Sequence, residues 1–183
     1  MPITIEYGDN ENKLIILYLI NRLELPMSIA QITDFIRDKE LIDYYKVGGI
    51  LEEMITQKLL DKEVEDAEDA SITRYSVTDD GLTTLEYFES HIPKPARQII
   101  NNYIIENRGK IKSDYESIAN YFPIPENNEF KVKCGAYEDQ RAIIELFVSV
   151  ETREQAKLIT SNWRANTSGI YTKIMEALTT GNH

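Results

Sequence analysis

The stretch KLLDKEVEDAEDASITRYSVTDDG, from Lys58 to Gly81, decides the fold of the N-terminal half. Its runs LLDKEV and ITRYSV are strand-like, and the acidic segment between them predicts the tip of a β-hairpin. Thr78 is placed as the N-cap of the helix that follows, TDDGLTTLEYFESHI. We expect this helix to face inward with Leu82, Leu85 and Phe88.

Three helix signals precede this hairpin. The segment NENKLIILYLINRLELP predicts a first helix, which Pro26 ends. Ser28, with Gln31 three residues later, forms a capping box for a short second helix. Asp43 is placed to cap a third helix, YYKVGGILEEMITQK, whose apolar residues recur at helical spacing. The three helices should share one core.

The resulting order is helix, helix, helix, hairpin, helix, which is that of the winged helix-turn-helix. The segment RYSVTDDG is similar to the wing-to-helix junction of many bacterial regulators of that class. This likeness covers about half of the chain and concerns the fold, because winged helices also serve as protein-protein modules.

The segment HIPKPARQIINNYIIENRG marks a boundary, since Pro93 and Pro95 end one helix and start another. Gly109 is expected to end the new helix. Its broad apolar face should pack on a second domain or on another subunit. That candidate linker and dimer face consists of Ile99, Ile100, Tyr103 and Ile104.

The C-terminal half changes to a period of two residues. EFKVKCGAY and RAIIELFVSV predict a hairpin that turns at EDQ and places Lys133 opposite Glu145. YESIANYFPIP predicts a third strand. Thr152 and Gln155 form a capping box for one long helix or two consecutive helices. The apolar positions of the hairpin are Phe130, Val132, Cys134 and Ala136 on the first strand and Ala142, Ile144, Leu146, Val148 and Val150 on the second.

These patterns predict an α+β protein: an N-terminal winged helix-turn-helix followed by an antiparallel three-stranded sheet covered by C-terminal helices. The expected parts are a winged-helix domain at 1–92, a linking helix at 93–110 and an α+β domain at 111–183.

The run YFPIPENNEFKVKCGAYEDQRAIIELFVSVETREQAKLITSNWRANTSGIY follows a helix started by proline and a winged helix. With those elements it resembles an uncharacterised family of Gram-positive bacteria known as a domain of unknown function. The resemblance spans nearly the whole chain. It implies a winged helix fused to a small α+β domain in transcription regulators, and it brings no catalytic residues.

The charge is unevenly distributed. Residues 1–92 contain 8 Lys and Arg against 20 Asp and Glu, which is a net charge of −12. Residues 93–183 have a net charge of +1, and the whole chain has −11. A DNA-binding half with this balance has to gather its cations on one face. The absence of a long apolar run and of a signal peptide predicts a cytoplasmic protein without membrane contact.

The sequence offers little for catalysis. Its two histidines, His91 and His183, form no zinc pattern, and it contains no Gly-rich phosphate loop. We therefore expect neither an enzyme nor a cofactor nor a metal. Cys134, on the apolar strand face, has two readings: a small buried hydrophobe, which we favour, and a redox-sensing thiol.

The third helix carries the candidate DNA contacts on positions away from its apolar stripe. Tyrosine can bind phosphate oxygens and lysine can bind phosphate or guanine. Glu52 and Glu53 on the same helix would repel phosphate unless they accept from cytosine amino groups. The alternative is that Tyr45 and the Gly48–Gly49 pair pack on the second helix or on another chain. The candidate DNA-binding residues are Tyr44, Tyr45, Lys46, Gly49, Lys58, Lys62 and Arg74.

The acidic wing tip admits two readings, which give two functions. In the first, the tip projects past the DNA and the protein is a dimeric transcription regulator. In the second, the tip repels DNA and docks a basic protein partner, so that the fold serves as an adaptor. A third possibility is a sensor with a small ligand between sheet and helices near Tyr121, Phe147 and Trp163. The RGKIK group, Arg108 to Lys112, is ordinary surface charge or a further anion contact.

Overall fold

The computed structural model describes residues 7–65, 71–138 and 141–180. Within these ranges the chain forms seven α-helices and two antiparallel three-stranded sheets, which confirms the α+β class. The chain divides into two compact units. The described residues of the first unit are 7–65 and 71–109, and those of the second are 110–138 and 141–180.

Helix α1 lies at the centre of the first unit. Its apolar side chains are almost all buried, because neighbouring elements of the unit cover it on several sides. The small sheet of this unit has the strand order β1-β3-β2, with both pairs antiparallel. The elements are α1 (Asp9–Leu23), β1 (Met27–Ser28), α2 (Ile29–Lys39), α3 (Val47–Thr56), β2 (Leu60–Glu65), β3 (Ile72–Val77), α4 (Asp79–Phe88) and α5 (Lys94–Glu116), which continues into the second unit.

Two predicted helix caps of the first unit, Ser28 and Thr78, are confirmed. The amide of Gln31 donates to Ser28 Oγ at 3.2 Å, and the amide of Ser28 donates to Gln31 Oε1 at 2.8 Å. At α4 the amide of Gly81 donates to Thr78 Oγ1 at 3.0 Å. The Thr78 hydroxyl in turn donates to the Lys58 carbonyl at 2.6 Å, so this cap also ties α4 to the segment before β2.

Two helices of the first unit differ from the sequence-based prediction. The third helix does not begin at Tyr44: a 3₁₀ turn, Tyr44–Lys46, precedes α3, and Asp43 caps that turn by accepting from the Tyr45 amide at 3.0 Å. In α4, Leu82 and Phe88 are exposed rather than inward-facing. The inward face contains Gly81 and Leu85, because α4 approaches the Leu59 backbone so closely that only glycine fits there.

The prediction that Gly109 ends the linking helix is wrong, since α5 continues to Glu116. Ile100 and Ile104 of the predicted dimer face are buried, and Ile99 and Tyr103 are half-buried. The Tyr103 ring packs against Phe35 of α2 with centroids 4.5 Å apart. These residues therefore pack within the first unit, and dimerisation through them stays a prediction.

The second unit is a sheet with strand order β4-β5-β6 and helices packed on one of its faces. Thr152 and Gln155 form the predicted capping box, and Asn166 separates two consecutive helices. The core consists of Ala119, Tyr121, Val132, Cys134, Ala156 and Trp163. The elements are β4 (Ser117–Ile124), β5 (Glu129–Glu138), β6 (Arg141–Val150), α6 (Arg153–Ala165) and α7 (Thr167–Thr179).

The predicted register of the β5–β6 hairpin is wrong by two residues. Lys133 lies opposite Phe147, and Glu145 lies opposite Gly135. One residue of the shift comes from a bulge at Ala136/Tyr137, which adds one residue to β6, and the other comes from Glu138, which pairs with Arg141 instead of lying in the turn. A shift by two keeps a side chain on the same face, so Lys133 Nζ still reaches Glu145 Oε1 diagonally at 2.9 Å.

Candidate functional site

The most exposed aromatic side chain of the first unit precedes α3. Tyr45 is 91% exposed, and Tyr44 is 45% exposed. The two rings lie edge to face, with centroids 5.6 Å apart and planes at 79°. Because Asp43 fixes the Tyr45 amide, the 3₁₀ turn holds both tyrosines and Lys46 in the open at the start of α3.

The next turn of this surface has no side chains. Gly48 and Gly49 are exposed, and a Cβ atom added to either would meet nothing within 4 Å. A backbone without side chains lets another molecule approach closely. The reading in which Tyr45 and this glycine pair pack on α2 finds no support in the described residues, because Tyr45 is nearly fully exposed and the glycines face open space.

Both glutamates of α3 are engaged in ion pairs. Glu52 Oε1 lies 2.9 Å from Lys62 Nζ on β2, and Glu53 Oε1 lies 2.5 Å from Lys13 Nζ on α1. Glu52 raises the pKa of the Lys62 ammonium, first through their hydrogen bond and then through its charge. The pairs reduce the repulsion that the two carboxylates would exert on phosphate, but they also occupy Lys62.

The remaining candidate cations flank the hairpin. Lys58 is exposed and has a left-handed backbone, with φ of 58°. Arg74 is half-buried on the central strand β3, opposite Glu63 of β2. An open groove of about 850 Å³ runs between α3, the hairpin and the start of α4; it is lined by Ile55, Lys58, Leu60, Asp61, Lys62, Val77, Thr78, Asp79 and Asp80. The structure therefore brings Lys58 and Lys62 together, next to three carboxylates.

Acidic side chains surround the α3 surface. Asp43, Asp61, Glu63, Asp79 and Asp80 are all exposed near α3, the hairpin or the start of α4. The acidic tip that follows Glu65 lies outside the described residues. Lys46 lies before the start of α3, and Lys58 and Lys62 lie beyond its end, so the cations are divided between the two ends of the helix among exposed carboxylates.

The described residues contain no group of His, Cys, Asp and Glu that could hold a metal ion. Cys134 is 2% exposed in the core of the second unit, and burial raises the pKa of its thiol to about 11. A thiol that stays protonated is a poor nucleophile, so the packing role predicted for Cys134 fits its surroundings. Among the described residues no helix is both long and apolar enough to cross a membrane.

The uncovered face of the second sheet was missed by the sequence analysis. Phe147 is 58% exposed there, whereas Tyr121 and Trp163 lie in the core on the opposite side. The predicted ligand site among these three aromatics is therefore not formed. Alternation along β6 could have revealed this, because Phe147 lies out of phase with Leu146 and Val148.

A family model for a domain of unknown function, DUF4364, matches residues 12–178. The chain belongs to this family. The match includes both units, so α3, its surroundings and the second sheet all fall within the family domain. No curated protein and no solved structure matches the chain.

Proposed function

We propose that the first unit is a winged helix that binds duplex DNA through the outer face of α3, and that the protein is a transcription regulator rather than an enzyme. The order α1-β1-α2-α3-β2-β3-α4 and the antiparallel strand order β1-β3-β2 support this proposal. In such a fold the third helix occupies the reading position, and the β2–β3 hairpin is the wing.

The main observation behind the proposal is the exposed start of α3. Tyr45 is almost entirely in solvent, Lys46 is beside it, and Gly48 and Gly49 leave the next turn of backbone bare. Lysine supplies a charged phosphate or guanine contact and tyrosine a hydroxyl for phosphate oxygens. The bare turn allows the helix backbone to come close to a groove wall.

The regulator is proposed to act as a homodimer, because two copies of α3 would then read two half-sites about 34 Å apart, one turn of DNA. Ile100 and Ile104 of the predicted α5 face are buried within one chain, and Ile99 and Tyr103 are half-buried, so a dimer through this face would depend on the latter two. Light scattering at micromolar concentration tests the dimer, and a monomeric mass contradicts it.

The DNA proposal is tested by fluorescence anisotropy with pooled genomic duplexes at about 50 and 200 mM salt, where phosphate contacts give a steep salt dependence. Lys46→Glu is expected to weaken binding more than 10-fold, because it replaces a phosphate contact by a repelling charge. Lys94→Glu, the same exchange at an exposed lysine at the start of α5, should leave affinity nearly unchanged. Absence of binding at the lower salt contradicts the proposal.

The second candidate is a protein-interaction adaptor, which the exposed carboxylates around α3 favour. In this function the acidic surface of the first unit docks a basic protein, and no DNA binds even at low salt. A duplex titration without signal, together with binding to a Lys- and Arg-rich peptide, would support the adaptor over the regulator. Salt should weaken that peptide complex because its attraction is mainly between exposed charges.

A further inference from the structure

The outer face of the second sheet presents aromatic rings on its edge strands and lysines on its central strand. Strand register places Phe122, Lys131 and Ser149 in one row and Asn120, Lys133 and Phe147 in the next. Phe122 is 38% exposed and Phe147 58% exposed. With strands about 4.8 Å apart and a rise of about 3.4 Å per residue, the two phenylalanines lie roughly 12 Å apart, with the lysines between them.

The two lysines lie at the centre of a face on which the strand alternation also places Glu129 and Glu145. Their ammonium groups lie 5.2 Å (Lys131) and 5.9 Å (Lys133) from the centroid of the Phe147 ring. Lys133 also pairs with Glu145, and Tyr137 donates a hydrogen bond to the same carboxylate at 2.6 Å. Within the described part of the chain Lys131 has no ion pair, so its charge is available to an anion.

The Tyr137 ring closes one end of the face. It lies over Gly135, where an added Cβ atom would approach Tyr137 Cε2 to 2.6 Å. Its hydroxyl and Lys133 both hold Glu145, and these hydrogen bonds lower the pKa of the Glu145 carboxyl. The remaining open part of the face therefore extends from Lys133 and Phe147 towards Phe122 and Lys131.

We propose that this face, formed by Phe122, Lys131, Lys133 and Phe147, binds single-stranded nucleic acid. Exposed rings that stack on bases, combined with cations that follow the backbone, are the two features by which proteins hold single strands. The rings meet separate bases, and the lysines between them meet the phosphates that join those bases.

An unpaired strand fits this face better than a duplex. In a duplex both faces of each base are occupied by stacking, so Phe122 and Phe147 would have no base to cover. The site lies in the second unit and does not depend on the proposal for α3, which concerns duplex DNA and the first unit.

The test is anisotropy with a fluorescein-labelled single strand of about 12 nucleotides and mixed sequence, at about 50 mM salt, using the full chain. Phe147→Ala is expected to weaken binding by about 10-fold, because it removes one stacking ring. Lys131→Glu should weaken binding to a similar extent and make the salt dependence shallower. Both side chains are exposed, so circular dichroism melts of the variants should match those of the parent protein.

Matched controls come from the same unit. Leu158→Ala removes a 61% exposed apolar side chain from α6, and Lys173→Glu reverses an exposed lysine on α7. Both should bind the single strand as the parent protein does. These results together support a site on the outer sheet face.

Several outcomes would overturn the proposal. They are absence of single-strand binding by the parent protein and unchanged single-strand binding by Phe147→Ala. Loss of single-strand binding in Lys46→Glu would place both nucleic acids on α3 and would remove the second site while leaving the first. Displacement of the strand by poly-glutamate with no effect of Phe147→Ala would identify an acidic-peptide surface instead.

Discussion

Glu52 on α3 holds Lys62 on β2, with Oε1 and Nζ 2.9 Å apart. The pair joins the proposed reading helix to the wing at their exposed surfaces. The Glu52 carboxylate forms an ion pair with the Lys62 ammonium group, which would otherwise be available to a DNA phosphate. In the proposed complex Glu52 and phosphate compete for the same ammonium group, which restrains binding that does not depend on sequence.

Glu52→Gln is therefore expected to strengthen duplex binding. The exchange removes one negative charge and releases Lys62, so the slope of log affinity against log salt should steepen by about 0.9 for one additional phosphate contact. Anisotropy at several salt concentrations measures this slope. Asp34→Gln, which removes a carboxylate paired with Arg37 on α2, is the control and should change the slope less. An unchanged slope in Glu52→Gln would show that Lys62 does not meet phosphate.

Gly81 and Gly109 should respond oppositely to alanine. A Cβ atom on Gly81 would lie 2.2 Å from the Leu59 carbonyl oxygen, which belongs to the backbone and cannot move freely. Gly81→Ala should thus lower the free energy of unfolding by roughly 1–3 kcal/mol. Gly109→Ala meets nothing within 4 Å and should raise it by up to about 1 kcal/mol, because alanine favours helix. Urea unfolding measures both, and equal effects would contradict these surroundings.

Cys134 should make stability depend on pH in the alkaline range. Its thiol pKa is raised from 9.0 to about 11 by burial, so the folded chain keeps a proton that the unfolded chain loses. The resulting stabilisation is complete below about pH 9 and is lost as the pH rises towards 11.

The measurement compares urea unfolding of the parent protein and Cys134→Ala at about pH 8 and pH 10. Between these two pH values the free energy of unfolding should fall by about 1 kcal/mol more in the parent protein than in the variant. The variant serves as the control because both proteins share all other titrating groups. Iodoacetamide should also label Cys134 slowly in the folded protein and rapidly in urea. If the free energy of unfolding fell equally in both proteins and iodoacetamide labelled the folded protein rapidly, the thiol would be accessible to solvent.

The features that sequence predicted best are those decided within a few residues. Ser28 with Gln31, and Thr152 with Gln155, need only their own backbone geometry to form capping boxes. The alternation of Val132 and Cys134 likewise indicates one buried strand face, because successive side chains in a strand point to opposite faces of the sheet.

The features that sequence missed depend on contacts between distant residues. The bulge at Ala136/Tyr137 arises in the pairing of two strands, so the position opposite Lys133 could not be read from spacing alone. The inward face of α4 follows from its close approach to Leu59. Gly109 continues α5 because a glycine costs a helix only about 1 kcal/mol, which the surrounding helical residues outweigh.

The sequence predicted which residues are exposed at the candidate site, but not which ion pairs they form. The exposed positions Tyr45, Lys46 and Gly49 followed from the apolar stripe of α3. The partners of Glu52 and Glu53 are Lys62 and Lys13, which lie 10 and 40 residues away in the chain. Only the packing of β2 and α1 beside α3 brings these charges together.

The central claim, that the outer face of α3 binds duplex DNA, is tested most directly by Gly49→Gln. This exchange adds no charge, and open space surrounds Gly49, so the free energy of unfolding should not fall. Gly109→Gln is the matched control, since Gly109 is another exposed helical glycine with nothing within 4 Å. We expect Gly49→Gln to weaken duplex binding about 10-fold or more, by separating the helix from the groove, and Gly109→Gln to bind as the parent protein does. Equal duplex affinity of all three proteins would contradict this claim.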